Sequence, residues 1–313
     1  MSRKHRSLSY CKISYIVSDN RRLVKRSSAG QLCYTTSMYV GVDIGGTKTL
    51  LAVLNEQAEI VEQVKFPTLQ DYDEFLTALA NAVENFKNKT FSVGVVAVPG
   101  RIDRQAGVVM ELGNLPWHNQ PIQADCEALL HCPVVIENDA KLAGLSEAML
   151  NQDHSTVLYV TVSTGIGTAL IRNRQLDPSL LNSEGGHMML PFQGELTMWE
   201  KFASGKAIYE HFGKKAADIP AEDTEAWGYV ARNLAIGLYE LIAVVEPDLV
   251  IIGGSIGTYF DRYSQPLITE LKKYEMPLVP IPRIIAAQRP ELAVVYGCYD
   301  MAKQAFPHAT AAA

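Results

Sequence analysis

One pattern occurs twice in this chain, and it restricts the possible folds more than any other feature. The strand-like run 39–42 leads through Asp43-Ile44 into Gly45-Gly46 and returns as a second run, 50–54. Asn55-Glu56-Gln57 then turns the chain into a third run, 60–66. Far downstream the run 156–164, the turn Gly165-Ile166-Gly167 and the run 168–171 repeat the order, closed by Arg172-Asn173-Arg174. A strand, glycine turn, strand and polar turn met twice predicts two related lobes facing each other across a cleft.

The intervening segments alternate helix and strand, which predicts an α/β protein. Phe75, Leu79, Ala82, Val83 and Phe86 share one face of a helix over 72–86. A buried strand follows at 92–98 and ends at Pro99-Gly100. The run 134–137 delivers Asn138-Asp139 to the start of a helix over 140–149. Later come a long helix over about 222–245, a strand at 249–252 ending in Gly253-Gly254-Ser255, and helices over about 259–274 and 292–305. A length of 313 residues suits two such lobes better than one core.

Composition excludes several classes. With 48% hydrophobic and 20% charged residues the chain is ordinary for a globular enzyme. Apolar stretches such as 92–98 and 249–252 fall far short of the ~20 residues of a membrane helix, so no membrane partner is expected. Five scattered cysteines, Cys11, Cys33, Cys126, Cys132 and Cys298, form no C-x-x-C pair, which suits a reducing, cytoplasmic compartment and argues against a thiolate zinc site. Residues 1–37 hold eight Lys and Arg against the single acid Asp19, leaving the remainder with 20 basic and 33 acidic residues. So acidic a body is a poor nucleic-acid binder. The basic segment itself reads as disordered, either a transit-like or basic arm, or sequence upstream of a true start at Met38.

Four short motifs carry chemistry. Asp43-Ile44-Gly45-Gly46-Thr47-Lys48 can turn its backbone N–H groups toward phosphate oxygens, and Asp43 can hold Mg²⁺ through water. A plain hairpin turn uses the same residues, and the Walker spacing is absent. Val162-Ser163-Thr164-Gly165-Ile166-Gly167-Thr168 is the corresponding turn of the second lobe; a dinucleotide fingerprint fails there, because a strand follows where a helix should. Asp139 lies beyond a strand's carboxyl end, where α/β sheets place ligand-binding groups, although an aspartate there can also simply cap the helix. Glu184-Gly185-Gly186-His187 brings a carboxylate and an imidazole within reach of one polyol, while solvated loop residues would look the same.

In this order the motifs resemble the ROK group of repressors, uncharacterised reading frames and sugar kinases, and the resemblance spans essentially 38–306. It implies a two-lobed actin-like, ribonuclease H-like ATPase fold with a central ligand cleft. Asp43, Gly45, Gly46, Thr47 and Lys48 correspond to a first phosphate loop, Thr164, Gly165 and Gly167 to a second, and Gly253 and Gly254 to the end of an adenosine loop. Asn114, within Gly113-Asn114-Leu115-Pro116, and Asn138, Glu184, His187 and Glu200 correspond to sugar contacts. The implied activity is transfer of the γ-phosphoryl group of Mg·ATP to a hexose, glucose at O6 first, with Asp139 as the base.

The implied lobes are 38–141 with about 297–313, and 142–296, and relatives of this kind are often homodimers. Three departures stand out. The segment 188–198, where the family commonly carries a cysteine-rich zinc loop, has no cysteine, so no zinc is expected; Thr168 and Ser183 stand where glycines are common. Competing readings are a polyphosphate-dependent hexose kinase, an inactive sugar-binding homologue, and a sugar-sensing repressor. The last would need a winged helix-turn-helix of roughly sixty residues ahead of the body, against 37 residues without helical periodicity.

Overall fold

The computed structural model describes residues 24–26, 32–34 and 37–306. Strands β1 (Val24–Arg26) and β2 (Leu32–Tyr34) pair antiparallel, so part of the basic segment read as disordered is a short hairpin. The remainder of that segment up to Thr36 lies outside the described residues.

The first sheet begins with the antiparallel meander β3 (Tyr39–Ile44), β4 (Lys48–Leu54) and β5 (Ile60–Pro67). Helix α1 (Tyr72–Glu84) follows, capped by Asp71, whose carboxylate accepts the Glu74 N–H. Strand β6 (Val93–Val98) then joins β3 in parallel. A three-stranded flap of β7 (Arg101–Asp103), β8 (Val108–Glu111) and β9 (His118–Gln120) and helix α2 (Ile122–Leu130) lead to β10 (Val134–Asn138), which extends the sheet in parallel beside β6. The strand order is β10-β6-β3-β4-β5.

Helix α3 (Asp139–Leu150) crosses to the second sheet. There β11 (Thr156–Val162), β12 (Ile166–Arg172) and β13 (Gln175–Leu176) form a second antiparallel meander. The hairpin β14 (Met189–Phe192) and β15 (Glu195–Met198) precedes α4 (Trp199–Ala203), α5 (Gly205–Phe212) and the long α6 (Thr224–Val245). Strand β16 (Leu249–Gly253) lies parallel to β11; α7 (Gly254–Gly257) and α8 (Phe260–Lys272) connect it to β17 (Arg283–Ala286), parallel in turn to β16. The order β13-β12-β11-β16-β17 repeats that of the first sheet, so the duplicated pattern in the sequence is a duplicated sheet in space.

The two sheets face a shared helical layer. One face of the first sheet packs Val42, Leu51 and Val96 against Phe75 and Leu79 of α1. Its other face packs Tyr39, Ala52 and Val95 against Leu142 of α3 and against Val295, Cys298 and Tyr299 of α9 (Ala293–Ala305). The second sheet applies Tyr159, Ala169 and Ile251 to Ala143, Leu145 and Ala148 of α3. Every residue of α3 from Ala140 to Ala148 is therefore buried, which explains why this helix lacks a polar face. At Gly297 any Cβ would lie 2.0 Å from the Leu142 carbonyl oxygen, so only glycine permits this approach of α9 to α3.

Helix α6 is long and apolar enough to span a membrane by length and composition, with a mean hydropathy of 1.3. Half of that stretch is buried, where Trp227, Val230, Leu234 and Leu238 pack against the second sheet and α8. The same composition therefore serves the core of the second lobe.

Candidate active site

The parallel strands of both sheets end at the same place. Carboxyl ends of β3, β6 and β10 bring Asp43, Gly100 and Asn138-Asp139 to a cleft; those of β11 and β16 bring Ser163 and Gly254 from the opposite side. Two cavities open there. One, of about 710 Å³, is lined by Gly45, Gly46, Asn114, Asn138, Asp139, Lys141, Thr164, Gly165, Gly167, Glu184, His187 and Glu200. The other, of about 520 Å³, is lined by Asp43, Gly45, Asp139, Tyr159, Ser163, Gly254, Ser255 and Tyr259. Gly45, Asp139, Ala140, Thr161 and Ser163 line both, so Asp139 stands at their junction.

Asp139 begins α3, but it is not the cap. Asn138 is the capping residue and accepts the Lys141 N–H on its side-chain oxygen at 3.2 Å, while the Asp139 carboxylate accepts the Ala140 N–H at 2.7 Å. Burial pushes the Asp139 carboxyl up to about 6; Glu184 adds to the rise, and the Ala140 N–H and Lys141 oppose it. Burial likewise pushes Asp43 up to about 7, with Asp139 raising it further and Lys65 opposing. Asp43, raised in part by Asp139 across the cavity that both line, is a donor suited to a divalent cation that keeps part of its water.

Both glycine turns are confined by contact. A Cβ at Gly45 would meet the Lys48 carbonyl oxygen at 2.9 Å, and one at Gly46 would meet the Asn114 side chain at 2.9 Å. In the second turn a Cβ at Gly165 would lie 2.7 Å from a Glu200 carboxylate oxygen, and one at Gly167 would lie 2.8 Å from Ala140. Gly254 alone among the predicted glycines needs its special backbone, with φ +76° against the Val162 carbonyl.

On the wider side of the cleft Glu200 carries two contacts. One carboxylate oxygen lies 3.6 Å from His187 Nε2, and the other accepts the Ile166 N–H of the second turn at 3.4 Å. The hairpin β14–β15 supports this arrangement: the Trp199 N–H donates to the Met188 carbonyl at 2.9 Å, and Phe192 stacks on Phe202 with ring centroids 4.3 Å apart. Asn138 donates its amide to the Gly100 carbonyl at 3.3 Å.

The predicted residues thus fall into two groups. Asn114, Asn138, Asp139, Glu184, His187, Glu200, Gly45, Gly46, Thr164, Gly165 and Gly167 share the larger cavity, and Asp43 and Gly254 line the smaller. Thr47 and Lys48 stand exposed at the hairpin tip and line neither, while Gly253 is buried beneath the Tyr159 ring. Residues the motif reading passed over also line the cleft: Arg101 and Glu111 from the flap, Ser163, and the buried Lys141. For Lys141 a signal existed: it is the one basic residue of α3 and has apolar neighbours on both sides.

Residues 39–305 match the family model described as the ROK family. A glucokinase of Streptomyces coelicolor is 27% identical over 315 residues, covering 86% of this chain and 98% of that protein. An N-acetyl-D-glucosamine kinase of Escherichia coli is 31% identical over 290 residues, covering 80% of this chain and 94% of that one. A ROK family glucokinase from Streptomyces griseus, solved in complex with glucose and AMPPNP, superposes with a TM-score of 0.71 at 24% identity, covering 86% of this chain and 100% of that one. The repeated sheets, the cleft between them and the match over nearly the whole described body agree, and this chain belongs to the ROK family.

Proposed function

We propose that this carbohydrate kinase transfers the γ-phosphoryl group of Mg·ATP to a primary hydroxyl of a hexose, glucose at O6 being the first acceptor to test and N-acetylglucosamine the second. The observation that carries the reading is the position of Asp139, the one carboxylate that lines both cavities of the cleft. A sugar in the larger cavity meets Asn114, Asn138, Glu184 and His187, with Glu200 supporting His187 from behind. The phosphate chain of the nucleotide lies in the smaller cavity, between Gly45, Ser163 and Gly254.

In the reaction the hexose hydroxyl oxygen forms a bond to the γ-phosphorus, and the bond from that phosphorus to its bridging oxygen breaks to leave ADP. The hydroxyl proton passes to the Asp139 carboxylate. A base of pKa about 6 is ionised at neutral pH and still close enough to its working range to accept that proton. Phosphoryl transfer depends chiefly on positioning and charge neutralisation, which the two opposed turns and the closure of 142–296 on 38–141 and the C-terminal helix provide. Asp43 fits a water-mediated contact to Mg²⁺, whose charge would offset that of the phosphates. No zinc enters this scheme, because the hairpin β14–β15 and the Phe192–Phe202 stack orient the His187 loop.

The test is a panel of hexoses assayed with ATP and, separately, with polyphosphate, using wild type and Asp139→Asn. Expected is ATP-dependent phosphorylation of at least one hexose and a fall in kcat of at least ~10²-fold in the variant, with unchanged secondary structure. Near wild-type turnover of Asp139→Asn removes that residue from the chemistry. Turnover with polyphosphate alone would replace the donor while leaving the site reading intact.

A further inference from the structure

Lys141 is almost completely buried, only 3% exposed, and yet it lies along the wall of the larger cavity. Its ammonium donates to the backbone carbonyl of Thr168 on β12 and, at 2.8 Å, to the carbonyl of Ser183, with the Ser183 hydroxyl at 3.5 Å. The Thr168 hydroxyl in turn accepts the Gly185 N–H at 3.3 Å, and the Ser183 hydroxyl donates to the Leu180 carbonyl at 2.8 Å. Three elements therefore meet at one cation: the helix that begins with Asp139, the strand that leaves the second glycine turn, and the loop that carries Glu184 and His187.

A buried ammonium is costly unless its hydrogen bonds are satisfied, and here backbone oxygens take on that role. Acidic groups surround it without forming an ion pair within reach. Asp139 lies two residues earlier on α3, Glu137 comes from β10 and Glu184 from the loop, while Arg104, from the flap turn, pairs with Glu137 and donates to the Leu181 carbonyl at 3.1 Å. Loss of the cation would free the Ser183–Glu184 segment from α3 and remove a positive charge from beside Asp139.

We infer that Lys141 is a positioning residue, a buried pin that holds the Glu184–His187 loop in fixed register with Asp139, so that sugar contacts and base are set by one ammonium. The inference rests on the kinase reading above.

The experiment compares wild type, Lys141→Met and Lys141→Arg in steady-state kinetics with ATP and a sugar the wild type phosphorylates. Expected for Lys141→Met is a rise in sugar KM of at least about tenfold with the ATP KM within about twofold. Lys141→Arg should recover part of the sugar KM. Equal increases in both KM values overturn the inference.

If Lys141→Met fails to fold, competitive amine labelling of the wild type decides: Lys141 should be among the least reactive lysines, and reactivity equal to that of exposed Lys48 overturns the pin. Labelling needs no turnover, so a wild type that phosphorylates no sugar defeats the kinase reading while the pin is still decided.

Discussion

At the tip of the first glycine turn Thr47 and Lys48 stand in solvent, and behind it the turn is held by the Gly45 N–H to Lys48 carbonyl bond of 3.0 Å and by Thr68, whose N–H donates to the Thr47 carbonyl at 3.0 Å and whose hydroxyl donates to the Gly45 carbonyl at 2.8 Å. The second turn also leaves Thr164 exposed at its tip, but it is tied to more elements behind it. Its Ser163 carbonyl accepts the Gly205 N–H at 2.7 Å, its Ser163 hydroxyl accepts the Ser255 N–H at 3.0 Å, and Glu200 lies against Gly165 and Ile166. Two hairpins of the same design thus have different mechanical settings. The first can give way by moving into solvent; the second can move only by displacing α4, α5 and α7.

Substitutions at equivalent points test this contrast. Gly165→Ala places a methyl group 2.7 Å from the Glu200 carboxylate, which must swing away from His187 and the Ile166 N–H to make room, and should lower kcat/KM by ~10²-fold, the scale of a misplaced catalytic group. A loss below about fivefold would show that the second turn yields as readily as the first.

The next effect concerns the ground beside the first turn, where Asp43 has its carboxyl raised from 3.8 to about 7. A carboxyl whose folded pKa is raised binds its proton more tightly in the folded chain, so the fold loses stability as pH rises from about 4 to about 7 and stays weaker above. Asp43→Asn should therefore raise the Tm of the ligand-free protein by several degrees at pH 8 and very little at pH 5. An equal Tm change at both values would mean that burial at this turn is not felt as charge.

Gly46→Ala comes third. Its methyl group meets the Asn114 side chain at 2.9 Å, yet the exposed hairpin can shift outward, so kcat/KM should fall only about fivefold, equivalent to about 1 kcal/mol. A loss as large as that of Gly165→Ala would erase the distinction between the turns. Smallest of all is Lys48→Ala, expected to change kcat/KM by less than about twofold, because the side chain is exposed and lines neither cavity. A tenfold loss there would show that the hairpin tip folds over the nucleotide during turnover.

Strong periodicity made most of this fold legible. The meander 39–66, the strand at 92–98 and the helices over 72–86, 140–149 and 222–245 each carry an apolar pattern long enough to fix their type, and the structure places all of them within a few residues. The flap was not foreseen, because β7, β8 and β9 have only three or four residues each and Ile102 and Val109 are their sole fully buried side chains. The hairpin β14–β15 escaped notice for the opposite reason: Met189, Leu196 and Met198 face solvent, so its apolar pattern does not mark a core.

At the site, motif order named eleven of the twenty-two residues that line the larger cavity, whereas contacts between segments distant in sequence stayed invisible. Thr168 and Ser183 were noted as departures from glycine, and only the fold shows that both meet Lys141. Arg104, which pairs with Glu137 and donates to Asn182 at 2.6 Å, joins three separate segments that no local pattern connects.

Helix α3 gives Leu142 to the core of the first sheet and Ala143 and Leu145 to that of the second, and α9 likewise contributes to both. Two sheets with separate cores on either side of an open cleft would melt in two stages. Because the same helices complete both hydrophobic cores, neither half retains a full core once the other is lost. Heating should accordingly give one cooperative transition, with calorimetric and van 't Hoff enthalpies in agreement.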